Sequence, residues 1–127
     1  MKTSENVFNY LKNQGLVPKY DERGNIEFKY QMRSFIFFVN DDDPQFFQLT
    51  MPAIFEVTDD NRMAALEAMN QINDTTKVIK LTVTKSNTVW ESTEIMLDST
   101  PELDDIFPRL LNILLNCRQS FYKLMES

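Results

Sequence analysis

The stretch Ile26-Glu27-Phe28-Lys29-Tyr30-Gln31-Met32-Arg33-Ser34-Phe35-Ile36-Phe37-Phe38-Val39-Asn40 decides how this chain is read. In its first part Ile26, Phe28 and Tyr30 alternate with Glu27, Lys29 and Gln31, the period of a strand with one wet face. Over residues 33–40 the pattern changes. Phe35, Phe37 and Val39 fall on one side and Ile36 and Phe38 on the other, so this second strand needs cover on both faces. Helices packed on one side of a sheet cover that side only. Either a helix crosses to the far face or another protein covers it, and Ile36 and Phe38 become the candidate protein-binding residues.

Working outward, Val7, Phe8 and Leu11 share one face of a first helix over residues 4–14, with Thr3 or Ser4 to cap it and Gly15 to turn the chain at its end. The glycine and asparagine of Asp21-Glu22-Arg23-Gly24-Asn25 mark a turn before the first strand. Beyond the second strand, Asp41-Asp42-Asp43-Pro44 is a turn and a third strand covers residues 46–51. Pro52 breaks the apolar run that follows. Thr58-Asp59-Asp60-Asn61 supplies capping residues for a second helix over 61–73, whose buried side is Met63, Leu66, Ala68, Met69 and Ile72. Residues 78–84 and 88–97 read as a hairpin about Lys85-Ser86-Asn87. The last helix has the clearest stripe, Leu103, Phe107, Leu110, Leu114, Cys117, Phe121 and Leu124. Ser99 and Glu102 have capping-box spacing there, and Pro108 should kink this helix or mark where its regular part begins.

The predicted fold is therefore α+β, in the order α-β-β-β-α-β-β-α, a mainly antiparallel sheet packed by helices within one domain spanning residues 1–127. With 43% hydrophobic residues such a chain can fold on its own core, without disulfide or metal. The lone Cys117 cannot form an internal bridge, which suits a reducing compartment. No apolar run follows Lys2 to make a signal peptide, and none is long enough to span a bilayer, so the expectation is a cytoplasmic protein without membrane attachment.

Charge and composition narrow the function classes. Residues 41–74 hold eight acids against Arg62 alone, which repels nucleic acid, and the aromatic strands lack the interleaved bases that a base-stacking sheet requires. There is no histidine, and neither of the two glycines has a second one within loop distance, so metal, nucleophile and phosphate chemistry lose their usual residues. No catalytic residue, metal ligand or cofactor is expected. The triple acid at Asp41 lacks the spaced ligands of a calcium loop and reads as a solvated turn. Cys117 has no histidine to activate it and reads as core. Glu91 and Glu94, three apart on a strand, face opposite ways and cannot flank one bond. Glu94, beside Trp90 and Met96, is the carboxylate expected to be partly buried.

Several short stretches, Phe46-Phe47-Gln48-Leu49-Thr50-Met51-Pro52, Ala64-Ala65-Leu66, Asn70-Gln71-Ile72-Asn73 and Lys77-Val78-Ile79-Lys80-Leu81, resemble the YbjN-like family of bacterial sensory transduction regulators. The resemblance spans about residues 4 to 124 and implies a fold similar to type III secretion chaperones. It brings no catalytic residues. It implies protein binding along apolar surfaces and the formation of dimers. The expected function is a non-catalytic protein-binding module, chaperone-like or regulatory, using apolar sheet and helix surface. The alternative is a small-ligand sensor with a pocket between the C-terminal helix and the sheet. A hydrolase built on Glu94 and a neighbouring hydroxyl is a third class.

Overall fold

The computed structural model describes residues 2–126. The elements are α1 (Thr3–Asn13), β1 (Lys19–Tyr20), β2 (Ile26–Tyr30), β3 (Arg33–Phe38), β4 (Phe46–Glu56), α2 (Arg62–Thr75), β5 (Ile79–Val83), β6 (Thr88–Met96) and α3 (Leu103–Glu126). The architecture is the expected α+β type, with one strand more than the periodicity predicts. That strand, β1, has only two residues and both are exposed, too few to leave an alternating signal. All strand pairs are antiparallel and the sheet order is β1-β2-β3-β4-β6-β5.

The inward rows of the sheet follow the alternation read from sequence. Ile26, Phe37, Leu49 and Thr93 stand side by side through the register of β2, β3, β4 and β6, and all are buried. The helices close over this face. Phe107 of α3 meets Phe28 and Phe47 edge-on at ring-centroid distances of 6.3 and 5.3 Å and stacks on Tyr10 of α1 at 5.1 Å. Farther along α3, Phe121 packs on Phe55 at 5.2 Å, and the Tyr122 hydroxyl donates to the Ile54 carbonyl. The sequence stripe of α3 is buried from Phe107 through Phe121, with Leu111 added to it.

Local chemistry departs from the sequence reading at several points. The glycine turn after α1 is as expected: Gly15 sits at φ +83°, and its N–H and that of Leu16 return to the carbonyls of Lys12 and Leu11. Thr3 and Ser4, however, do not cap α1. The Thr3 hydroxyl donates to the Pro44 carbonyl and that of Ser4 to Asp41 Oδ1, tying the helix to the acidic turn. Strand β4 does not stop at Met51. It runs on through Pro52 because a bulge lies between Met51 and Phe55, with Ala53 at φ +48°, so the proline falls where the ladder is already interrupted.

The α2 stripe is also shifted. Met63 and Leu66 are 68% and 43% exposed, and Ala65 is buried in their place beside Ala68, Met69 and Ile72. Ala65, Ala68, Met69 and Ile72 have the i, i+3, i+4, i+7 spacing of one helix face, which leaves Met63 and Leu66 beside that face rather than on it. At α3 the helix begins at Leu103, so Glu102 rather than Ser99 takes the cap position, its carbonyl accepting from the N–H groups of Asp105 and Ile106. Pro108 lies inside the helix rather than at its start.

Candidate protein-interaction face

The alternate residues of the same strands build the other face of the sheet. Glu27, Ile36, Thr50, Ser92 and Lys80 form one row across β2, β3, β4, β6 and β5, and Phe38, Gln48 and Glu94 form the next. No helix lies over these rows among the described residues. The two residues singled out from sequence are both here and both half-buried. Their surroundings differ.

Phe38 on β3 meets Trp90 on β6 at a centroid distance of 6.5 Å. Since β4 lies between those strands, the two rings must reach across it, and the diagonal between them passes over Thr50. That explains why Thr50 and Ser92 are buried on a face with no helix, where they satisfy each other through a 2.8 Å hydroxyl pair. Trp90 is thus a member of this face that the sequence reading did not pick out. The signal was its even place in the alternation of Thr88, Trp90, Ser92 and Glu94. Ile36 instead lines a trough of about 610 Å³ with Leu16, Val17 and Pro52, flanked by Lys19 and Lys29. Val17 is 73% exposed, and at the far end of the sheet Met96, 65% exposed, pairs with half-buried Phe46.

Neither edge of the sheet is left plain. On β5 the outward N–H of Leu81 donates to Asn73 Oδ1 at 2.8 Å, and Asn73 Nδ2 donates to the Leu81 carbonyl at 3.2 Å. The asparagine amide takes the place of a neighbouring strand, so this edge is blunted against pairing with another chain. Sequence alone assigned Asn73 to the end of α2; its partner eight residues on is a tertiary contact. The opposite edge is the two-residue β1, short by the same logic.

The other residues weighed from sequence fall apart in space. Asp41 is engaged by Ser4 and by Lys2, whose Nζ lies 3.9 Å away, and no group of three ligating side chains able to hold a metal occurs among the described residues. Cys117 is buried on α3, where desolvation pushes its thiol pKa up. Glu91 and Glu94 do face opposite ways, and Glu94 is partly buried as expected, but Glu91 is buried more deeply. Glu94 pairs with Lys80 at 2.5 Å on the helix-free face, whereas Glu91 is wholly buried beneath the helices. Its odd position, shared with Val89 and Ile95, was the available sign. Between α3 and the sheet, where a ligand pocket was the alternative expectation, Phe107, Leu110, Leu114 and Phe121 are all buried. A second cleft, of about 810 Å³, lies instead between α1 and the entry to α3, lined by Asn6, Asn9, Tyr10 and Ser99 among others.

Comparison with known proteins places this geometry. The family model described as "Putative bacterial sensory transduction regulator", YbjN, matches residues 3–106. The chain belongs to the YbjN family. A search of curated protein sequences finds no match. Among solved structures, this YbjN-family chain is similar to an uncharacterized protein from Methanothermobacter thermautotrophicus, with a TM-score of 0.66 and 14% identity over 98% of this chain and 97% of that one. It is also similar to a chain of the heterodimeric complex ExoU-SpcU from the type III secretion system of Pseudomonas aeruginosa, with a TM-score of 0.59 and 12% identity over 94% and 95% of the two chains. At such identities the likeness is one of fold. It agrees with the secretion-chaperone-like fold that the sequence implied. No described helix is long and apolar enough to cross a membrane.

Proposed function

We propose that this YbjN-family protein is a non-catalytic protein-binding module, chaperone-like or regulatory, that engages its partner through the helix-free face at Ile36 and Phe38. The observation that carries the reading is the one-sided sheet. Its three helices close one face, and the other presents Ile36, Phe38, Trp90, Phe46 and Met96 to solvent in whole or in part. The pairing of Lys80 with Glu94 leaves fewer free charges around these rings, which lowers the cost of drying the surface. Membership of a regulator family, and likeness to a chain that works within a heterodimeric complex, support a protein partner. A second copy of the chain is one such partner, so self-association is part of the proposal.

The test is substitution of Phe38 or Ile36 by Ser, followed by circular dichroism, sedimentation over a range of concentrations and capture of partners from the native cell. Retained fold with weakened dimerisation or capture is the expected result. Unfolding in step with lost binding would assign both side chains to the internal core and remove the proposed interface.

A further inference from the structure

Beneath the last helix lies a titratable group that the interaction face does not use. Glu91 stands on the helix-covered side of β6, in register with Met51 of β4 and Leu81 of β5. It is 0% exposed, and neither carboxyl oxygen has a hydrogen-bond partner. From α3 it is faced by Arg118 and by the Cys117 thiol, with the uncharged Thr76 just past α2 beside that thiol. The buried residues of α2, namely Ala65, Ala68, Met69 and Ile72, are uncharged. Lys80 of β5 is engaged by Glu94 on the opposite face. Arg118 acts on Glu91 only at a distance, because its guanidinium lies 4.4 Å from the centre of the Tyr122 ring.

The helix that covers this carboxyl has a weak point one turn from its start. Pro108 has no N–H to donate to the carbonyl of Asp104. Just before it, Phe107 is clamped by the rings of Tyr10, Phe28 and Phe47. Just after it begins the stretch that carries Cys117 and Arg118 over Glu91. The anchored turn and the covering stretch thus meet at the one residue that cannot complete the helical ladder.

We propose that α3 beyond Pro108 opens from the sheet as a unit and that this opening brings the buried, unpartnered carboxyl of Glu91 into water, so that docking of the helix and ionisation of Glu91 are coupled. Burial pushes the carboxyl pKa up to about 9. In water it returns to the ordinary carboxyl range, so the docked form keeps a proton at neutral pH that the open form releases. The opening equilibrium then rises about tenfold per pH unit across that interval. The same linkage makes any partner that lifts α3 a proton-releasing ligand.

Native-state hydrogen exchange of the full chain, from about pH 6 to about pH 8 and corrected for the intrinsic rate, tests this. Residues 109–126 are expected to show less protection than β3 and β4, a smaller denaturant sensitivity than those strands because less surface is exposed than in global unfolding, and a loss of protection of about tenfold per pH unit. Glu91→Gln should abolish that pH slope. Equal protection and equal denaturant sensitivity in α3 and the central strands would mean that Glu91 is uncovered only by global unfolding, and would overturn the proposal. So would a less protected α3 without a pH slope, since its opening would then not reach Glu91. Should Glu91→Gln fail to fold, Glu91→Met removes the same titration from a chain of similar length and reads the same slope.

Discussion

Replacing Glu91 by Gln should make the protein more stable at neutral pH, although it alters a fully buried residue. Burial pushes the native carboxyl from an ordinary value of 4.5 up to about 9. At pH 7 the native state therefore holds a proton that the unfolded state has lost. A folded pKa raised in this way makes stability greatest at and below the unfolded pKa and erodes it as pH rises toward the folded one. The slope is about −1.4 kcal/mol per pH unit, and over the roughly 2.5 units between 4.5 and 7 it amounts to about 3 kcal/mol. Glutamine cannot ionise and escapes this loss. Its amide has two N–H donors to leave unpaired where the protonated carboxyl has one O–H, which takes back about 1 kcal/mol or more. The net gain at pH 7 is on the order of 1 to 2 kcal/mol, shrinking and then reversing as pH falls toward the ordinary carboxyl pKa. Urea unfolding followed by Trp90 fluorescence and far-ultraviolet circular dichroism gives the difference between variant and parent at each pH, and other carboxylates cancel in that difference. Parallel stability curves from about pH 5 to about pH 9 would show that Glu91 is hydrated or ionised in the native state, and the burial argument would fail.

Further expectations concern packing and edges. Leu114→Ala, at a side chain with no exposed surface, should cost about 2 to 5 kcal/mol, whereas an unchanged melting temperature would mean that the α3 stripe does not face the core. Native Cys117 should react with a thiol reagent only as fast as the protein opens, because it is buried and its thiolate is disfavoured; immediate labelling would contradict that. Asn73→Ala should cost on the order of 1 kcal/mol and raise aggregation by unmasking the β5 edge, and unchanged light scattering would show that the amide does not protect it. Tyr122→Phe removes the donor to the Ile54 carbonyl and should cost about 1 kcal/mol, read by denaturant midpoint.

Periodicity alone determined most of the elements of this protein. An apolar residue every second or every third to fourth position is a local property, and it placed Ile26–Tyr30, Arg33–Phe38, the last hairpin and the α3 stripe where the structure has them. It also announced that Ile36 and Phe38 face away from Phe35 and Phe37. Which way the helices would lie was not local. The doubly apolar strand was compatible with a wrapped helix or an open face, and only the assembled sheet shows all three helices on one side. The bulge that lets β4 pass Pro52 and the seating of α2 on Ala65 rather than Met63 likewise depend on what each segment meets across the core. Glu91 makes the same point for chemistry. A charged residue type predicts exposure, and a carboxyl becomes a buried, proton-holding group only when register sets it beside Met51 and Leu81 and a helix closes over it.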